Sequence, residues 1–296
     1  MRTHVNSVGL LVVSDPVLNF SYPAHIPRAC IDALPSLPGI YVFRDAAGKP
    51  IYIGKSVNIR TRVLSHMRTA EEMQMLARAA TIDFERTGGE IGALLRESQL
   101  VKQYQPVFNS KLRRLREMCS ISMAGERPEI VFARDLDFAL AEQLYGLFGS
   151  RKAAVETLRD MVHVRGLCTV ATGLEKGMPG RPCFARQVAR CRGACTGEET
   201  AADHAARVRL ALEPLRVARW PYAGAVAIVE ESDGLRQRAL VDRWCYLGMA
   251  GQATRDAARG RPRARAATKA PVRFDIDVYD ILMRPLLSGA LRIEEL

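Results

Sequence analysis

The sequence predicts an α+β protein: a small N-terminal domain on a largely antiparallel three-stranded sheet flanked by helices, followed by a cysteine-containing mixed α/β C-terminal region. Three observations carry this. The stretch Pro38 to Asp45 alternates in the manner of a strand, and the turn-forming run Asp45-Ala46-Ala47-Gly48-Lys49-Pro50 leads into Ile51-Tyr52-Ile53-Gly54, which reads as a hairpin. Helical and strand-like patterns then follow in short succession, as in a small α+β unit. Finally, 296 residues with 48% hydrophobic content suffice for one good core and a second, more modest one.

Taken in order, residues 1–34 form an N-terminal tail, and the first domain occupies 35–113. After the hairpin, Ser56 is expected to cap a helix whose apolar stripe is Ile59, Val63 and Met67, with Asn58, Arg62 and His66 as a polar row on another face. A second helix is expected from Glu71 to Ala80, a strand from Thr81 to Thr87, a break at Gly88-Gly89, and a helix from Glu90 to Tyr104 stopped by Pro106. The connecting segment 114–166 holds strands at 121–123 and 129–133 and a helix at 151–163. Cysteines mark 167–200. In the C-terminal region, 201–296, residues 203–219 read as helix and 224–229 as a strand pairing with 240–247. Between Thr254 and Arg273 lie seven basic residues and one acid without apolar periodicity, which reads as a basic loop.

Charge and targeting signals narrow the class. The balance is 43 basic to 32 acidic residues, a net +11, which favours a polyanionic partner. No run of 18 apolar residues occurs, and residues 1–20 carry polar and acidic side chains and a proline where a signal peptide needs an unbroken apolar stretch. A cytoplasmic protein that does not enter the membrane is expected.

Glu97 is the most informative residue. The positions three and four away are Ala93, Leu94, Leu100 and Val101, all apolar, so this carboxylate shares or borders the packing face of its helix. A carboxylate taken out of water needs a cation, either a metal ion or a guanidinium, and the spacing does not choose between them. Around it stand Tyr41 and Tyr52 on adjacent strands, Lys55 just after the hairpin, Arg62 and His66 one turn apart, and the carboxamide of Asn109. Each alone has an ordinary packing or surface reading. Together they are parts for phosphodiester hydrolysis, which needs a divalent ion, a base near water, and fixed positive charge where negative charge develops.

The ordered set Gly39-Ile40-Tyr41, Tyr52-Ile53-Gly54-Lys55, Arg62, Glu97 and Asn109 resembles the signature of the GIY-YIG nucleases. The wording Leu-Pro-Gly-Ile-Tyr, Ile-Tyr-Ile-Gly-Lys-Ser, Ala-Leu-Leu-Arg-Glu and Lys-Gln-Tyr-Gln-Pro-Val-Phe-Asn is similar to the N-terminal endonuclease of the UvrC type. The resemblance implies that Glu97 is the sole acidic ligand of one Mg²⁺ or Mn²⁺ and that Arg62 meets the scissile phosphate. It further implies that Tyr52 helps deprotonate the attacking water, that Tyr41 orients it, and that Lys55 and Asn109 support the site. His66 departs from the tyrosine common in UvrC-type domains. Either His66 or Tyr52 is then the base, and the phenol needs its pKa lowered by neighbouring cations to serve.

Four of the seven cysteines fall together as Cys168-x14-Cys183-x7-Cys191-x3-Cys195, with no C-x-x-C pair. Spacing alone leaves a metal site, packing and regulatory thiols open. The run Gly180-Arg181-Pro182-Cys183 with Cys191-Arg192-Gly193-Ala194-Cys195-Thr196-Gly197 resembles the segment that follows the UvrC nuclease, which implies a [4Fe-4S] cluster on the four thiolates. Six arginines, at 165, 181, 186, 190, 192 and 207, flank or interrupt the cysteines and suit DNA phosphate.

UvrC-type proteins continue into a second nuclease and helix-hairpin-helix repeats, whose patterns the C-terminal third lacks. The resemblance, from residue 20 to 290, is to short relatives with one nuclease, and a single cut is expected. It implies incision on the 3′ side of a lesion in damaged double-stranded DNA during bacterial nucleotide excision repair. UvrB would be the partner, with UvrA upstream, and the protein a monomer. Two other readings stand beside it: a branch-selective GIY-YIG nuclease, and a DNA-binding module with an inactive nuclease fold.

Overall fold

The computed structural model describes residues 23–109, 118–178, 181–250 and 274–296. After a short helix, α1 (Arg28–Asp32), the chain forms β1 (Gly39–Arg44) and β2 (Pro50–Ser56). In the turn between them the Asp45 carboxylate accepts from the backbone N–H groups of Ala47 and Lys49, and Gly48 adopts φ 75°. β3 (Thr81–Arg86) adds on the other side of β1, giving the antiparallel order β2-β1-β3. The predicted sheet is thus present, with β1 buried at its centre.

Both faces of this sheet are covered. Tyr41 and Phe43 pack with Ile59, Val63 and Met67 of α2 (Ile59–Arg68), while Ile40, Val42 and Ile53 pack with Leu100 and Val101 of α4 (Glu90–Tyr104). Three local expectations fail. The α2 cap is Asn58, whose side chain accepts from Thr61 N, while Ser56 is occupied with the Asn58 backbone. His66 does not lie on a solvated polar row; it is 2% exposed, inside the apolar stripe. The helix expected at 71–80 is a 3₁₀ turn, Ala70–Glu72, running into the six-residue α3 (Met73–Arg78).

A second antiparallel sheet, β5-β4-β6, comprises β4 (Cys119–Ser122), β5 (Glu129–Phe132) and β6 (Leu144–Phe148). Its core is closed by α5 (Arg151–Val164) and α7 (Ala201–Leu212), with the cysteine segment and the one-turn α6 (Phe184–Gln187) between those helices. β6, with Gly146 at φ 71°, is too short to carry an alternation signal in the sequence. The helix expected to reach 219 ends at Leu212, because Pro214 follows in a 3₁₀ turn.

The third sheet, β10-β7-β8-β9, contains β7 (Val226–Ser232), β8 (Leu235–Asp242), β9 (Cys245–Met249) and β10 (Arg292–Glu295). β7 and β8 form a hairpin about Asp233-Gly234, both at positive φ, an Asp-Gly signal overlooked in the sequence. The strand expected at 240–247 is broken by positive φ at Arg243 and Trp244, so its two parts belong to different strands. A helix, α8 (Ile276–Leu287), and β10 complete this region beyond what the sequence predicts. Trp220, Trp244, Tyr279 and Leu282 centre this core, which also buries Leu95 of α4. One helix therefore serves two cores. The basic stretch 254–273 lies outside the described residues.

Candidate active site and cysteine centre

The site grows from the alternation of β1 and β2, which turns the phenols toward α2. Tyr52 stands opposite Phe43 in the ladder, and the Tyr41 and Tyr52 ring centroids are 6.2 Å apart. Gly54 is opposite Tyr41, and a Cβ there would run into the Tyr41 ring and hydroxyl, so the position must lack a side chain. His66 enters from α2 with its ring 5.4 Å from Tyr41 and 5.3 Å from Tyr52.

Hydrogen bonding sets the tautomer of this histidine. Nδ1 lies 3.2 Å from Oε1 of Glu72, and Nε2 lies 2.6 Å from the Tyr41 hydroxyl. A carboxylate only accepts, so Nδ1 carries the proton and Nε2 accepts from Tyr41. Burial lowers the His66 pKa, against the pull of Glu72 and with the help of Arg62, which keeps the imidazole neutral near pH 7. Glu72 is the residue that sequence reasoning missed. It stands beside Glu71 at the start of a helix, where surface acids are ordinary, and nothing in its spacing points to the phenols.

The neighbouring cations do not bring the phenols down, as Tyr52 would need in order to act as a base by itself. Burial and mutual proximity push Tyr41 far up, and the interaction of its hydroxyl with Arg62 does not reverse this. Tyr52, half-buried, is also raised, by burial first, although the nearby Tyr41 hydroxyl and the charge of Arg62 pull the other way. The cations therefore do not make phenolates at neutral pH; desolvation wins. Arg62 itself is exposed one turn before His66, with its guanidinium beside the Tyr41 hydroxyl.

Glu97 lies on α4 and is largely shielded from water. Burial pushes its pKa up to about 7, partly offset by the Lys55 charge, a hydrogen bond from the Lys55 backbone, and Arg62. None of the salt bridges among the described residues includes it; the buried bridge on this helix belongs to its neighbour Arg96, with Glu85 at 3.1 Å. A shielded carboxylate with no salt bridge among the described residues suits a divalent cation. Lys55 spends its ammonium on Glu90, at 2.6 Å. Asn109 is placed differently from a reacting group. Its Oδ1 accepts from Ile53 N at 2.9 Å and its Nδ2 donates to Ile53 O at 2.7 Å, so it pairs like a strand with β2 between Tyr52 and Gly54.

The four clustered cysteines also converge. The sulfurs of Cys168, Cys183 and Cys195 lie within 4.8 Å of one another, Cys191 is 3.6 Å from Cys183, and none forms a disulfide. The set fits a thiolate-bound metal. The Ala171 N–H points at the Cys168 sulfur and the Cys183 N–H at the Cys195 sulfur, at 3.5 and 3.3 Å. Burial holds most of these thiols up, Cys195 to about 11, whereas at Cys183 burial is outweighed by the Arg186 N–H and the other thiols. The buried His204 accepts from Cys168 N at 3.0 Å and anchors that end of the segment.

Family comparisons cover most of the chain. Residues 37–110 match the UvrC-like GIY-YIG domain, 118–214 the middle domain of the UvrC/Cho excinucleases, and 225–296 the C-terminal domain of excinuclease Cho. Excinuclease Cho of Escherichia coli O6:H1 is 43% identical over 278 residues, 94% of this chain and 91% of that protein. Excinuclease Cho of Salmonella typhi is 42% identical over 94% of this chain and 92% of its own length. UvrABC system protein C of Dictyoglomus thermophilum is 32% identical over 56% of this chain and 28% of its own. The GIY-YIG N-terminal endonuclease domain of UvrC from Thermotoga maritima, solved with magnesium as its catalytic cation, is 31% identical over 28% of this chain and 93% of that chain, with a TM-score of 0.26.

Proposed function

The chain belongs to the excinuclease Cho family and is a DNA endonuclease of the GIY-YIG kind, and from this we propose that it nicks the damaged strand on the 3′ side of a lesion once UvrA has found the damage and UvrB is loaded there. The observation that carries the reading is the shielded carboxylate of Glu97, in no salt bridge among the described residues, whose charge reaches Tyr52 of the Tyr52, Tyr41, His66 and Glu72 chain and which itself feels the exposed Arg62. We assign Glu97 to a Mg²⁺ or Mn²⁺ ion, which when bound polarises a phosphoryl oxygen and steadies the leaving oxygen. Arg62 meets the phosphate and balances the charge that develops on it.

The geometry favours a division of labour between phenol and imidazole. His66 is buried with both nitrogens engaged, so it does not meet water itself. Tyr52 is the more open phenol, and its hydroxyl interacts with that of Tyr41. Water gives its proton to Tyr52 as the Tyr52 proton passes to Tyr41 and the Tyr41 proton to Nε2 of His66. The products are hydroxide, two neutral phenols, and an imidazolium held by Glu72. No free phenolate forms, which suits the raised phenol pKa values. Lys55 and Asn109 act through Glu90 and β2. Arg62→Ala is expected to slow single-turnover nicking about 10²-fold with unchanged lesion preference.

The direct test combines the protein with UvrA, UvrB, Mg²⁺ and a duplex bearing one bulky adduct. Lesion-dependent nicking on the 3′ side is the expected result. Cutting of undamaged forks supports a branch nuclease, and binding without nicking an inactive module.

For the cysteine centre we propose a resident metal. The family resemblance favours [4Fe-4S], while the close approach of Cys183 to Cys168 and Cys191, at 3.8 and 3.6 Å, suits a single ion, since zinc–sulfur bonds of about 2.3 Å give an edge of about 3.8 Å. Anaerobic purification followed by metal analysis separates them: brown protein with iron in the first case, colourless protein with one zinc in the second.

A further inference from the structure

The helix that carries Glu97 has no cap of its own. Its N-cap residue is Gly89, which lacks a side chain, yet the N–H groups of Ile91 and Gly92, in the first turn, are both satisfied. The acceptor is Glu230 of β7, 138 residues away: Oε1 takes Ile91 N at 3.0 Å and Oε2 takes Gly92 N at 2.6 Å. A carboxylate in that position satisfies two orphan donors and faces the positive end of the helix dipole. The glycines make room for it, since a Cβ at Gly88 or Gly89 would collide with Glu230.

The same hairpin grips the segment leading into the helix. Gln237 of β8 accepts from Gly88 N at 2.8 Å, and Arg86 donates to the carbonyls of Ser232 and Asp233 at 3.3 and 3.2 Å. At the other end of α4, Lys102 binds Asp275 at 2.6 Å and Asp277 at 2.5 Å, around the start of α8. Between the two clamps, Ile91 and Leu95 pack into the C-terminal core. The stripe 91-95-98-102 thus faces the C-terminal region, while Ala93, Glu97, Leu100 and Val101 lie on the stripe toward the nuclease sheet.

We infer that the C-terminal region is a working part of the nuclease, and that Glu230 is a positioning residue which sets the helix presenting Glu97 to its cation. The inference rests on the reading of Glu97 as metal ligand. It assigns the hairpin β7–β8 a task within the catalytic unit, separate from any role in partner or DNA binding.

The test uses the full chain and Mn²⁺ alone, followed by electron paramagnetic resonance, with nicking kinetics and thermal unfolding measured in parallel. Glu230→Ala is expected to weaken Mn²⁺ binding about tenfold, the scale seen when a ligand's supporting partner is lost, and to lower kcat while KM for DNA holds. Glu230→Gln, which keeps one acceptor oxygen, is expected to fall between, and decides the question if the alanine variant does not fold. Adding Gly89→Asp to Glu230→Ala supplies a local carboxylate cap and is expected to restore both Mn²⁺ affinity and kcat. Variants with lowered Tm but unchanged Mn²⁺ affinity and kcat overturn the inference and leave a stabilising cap. Failure of the unsubstituted protein to bind Mn²⁺ overturns the assignment of Glu97, and the inference with it.

Discussion

At the scale of single residues, the site joins a neutral imidazole to a carboxylate on one side and a phenol on the other. Glu72→Gln removes the charge that raises the His66 pKa and stabilises its imidazolium. The expected outcome is a drop in kcat of about 10²-fold and an acid limb displaced to lower pH, read from a pH–rate profile at saturating Mn²⁺, with DNA affinity unchanged. Glu97 makes a second prediction. Its pKa stands at about 7, above the ordinary 4.5, so between those values the folded state holds more protons than the unfolded state. Stability of the metal-free protein therefore falls as pH rises through that window. Thermal unfolding in chelator at pH 5 and pH 8 is expected to show this loss, and Glu97→Gln to abolish it. Mn²⁺ affinity is expected to rise with pH up to about 7 and then level, as the proton competing for the carboxylate leaves. The sequence marked Glu97 because four apolar neighbours at helical spacing surround an acid. It did not mark Glu72, whose meaning depends on a ring brought in from another helix.

At the scale of elements, strands and helices with strong local patterns were legible, and those that depend on distant partners were not. The hairpin of β1 and β2, β3, α4 and α5 carried turn, cap or periodicity signals of their own. β6 and β10 are short edge strands with little alternation, formed because a neighbouring ladder takes up their hydrogen bonds. His66 was read onto a polar face because its type is polar; the helix buries it because Tyr41 and Glu72 satisfy both nitrogens. Asn109 shows how an element can be completed by a side chain. Its carboxamide takes the place of a neighbouring strand along β2, so Asn109→Ala leaves the Ile53 N–H and C=O unpaired in a buried setting. A loss of about 1–3 kcal/mol in denaturant unfolding is expected, together with reduced kcat, because Tyr52 and Gly54 flank the freed residue. Asn109→Asp, which retains an acceptor for Ile53 N, is expected to recover part of the stability.

At the scale of the whole molecule, the three sheets are tied together through α4, which packs on the first and third, and through Val131 and Leu144 of the second sheet, which enter the third sheet's core; the cysteine segment lies between α5 and α7. Cys183→Ser removes the sulfur nearest to two of the other three. It is expected to lower metal content by at least half by elemental analysis and to loosen residues 168–195 in hydrogen exchange, while protection of the first sheet stays as it is. The sequence alone determined the small α+β domain on an antiparallel sheet, the order of the candidate site residues and the clustering of four thiols, because local periodicity and residue type at set spacing encode them directly. The tertiary structure decided which nitrogen of His66 faces Tyr41, that the phenols stay protonated, that Asn109 serves β2, and that Glu230 caps the helix of Glu97. Those facts arise from burial and from hydrogen bonds closed across up to 139 residues, and no local pattern in a chain records which distant group will fill an empty bond.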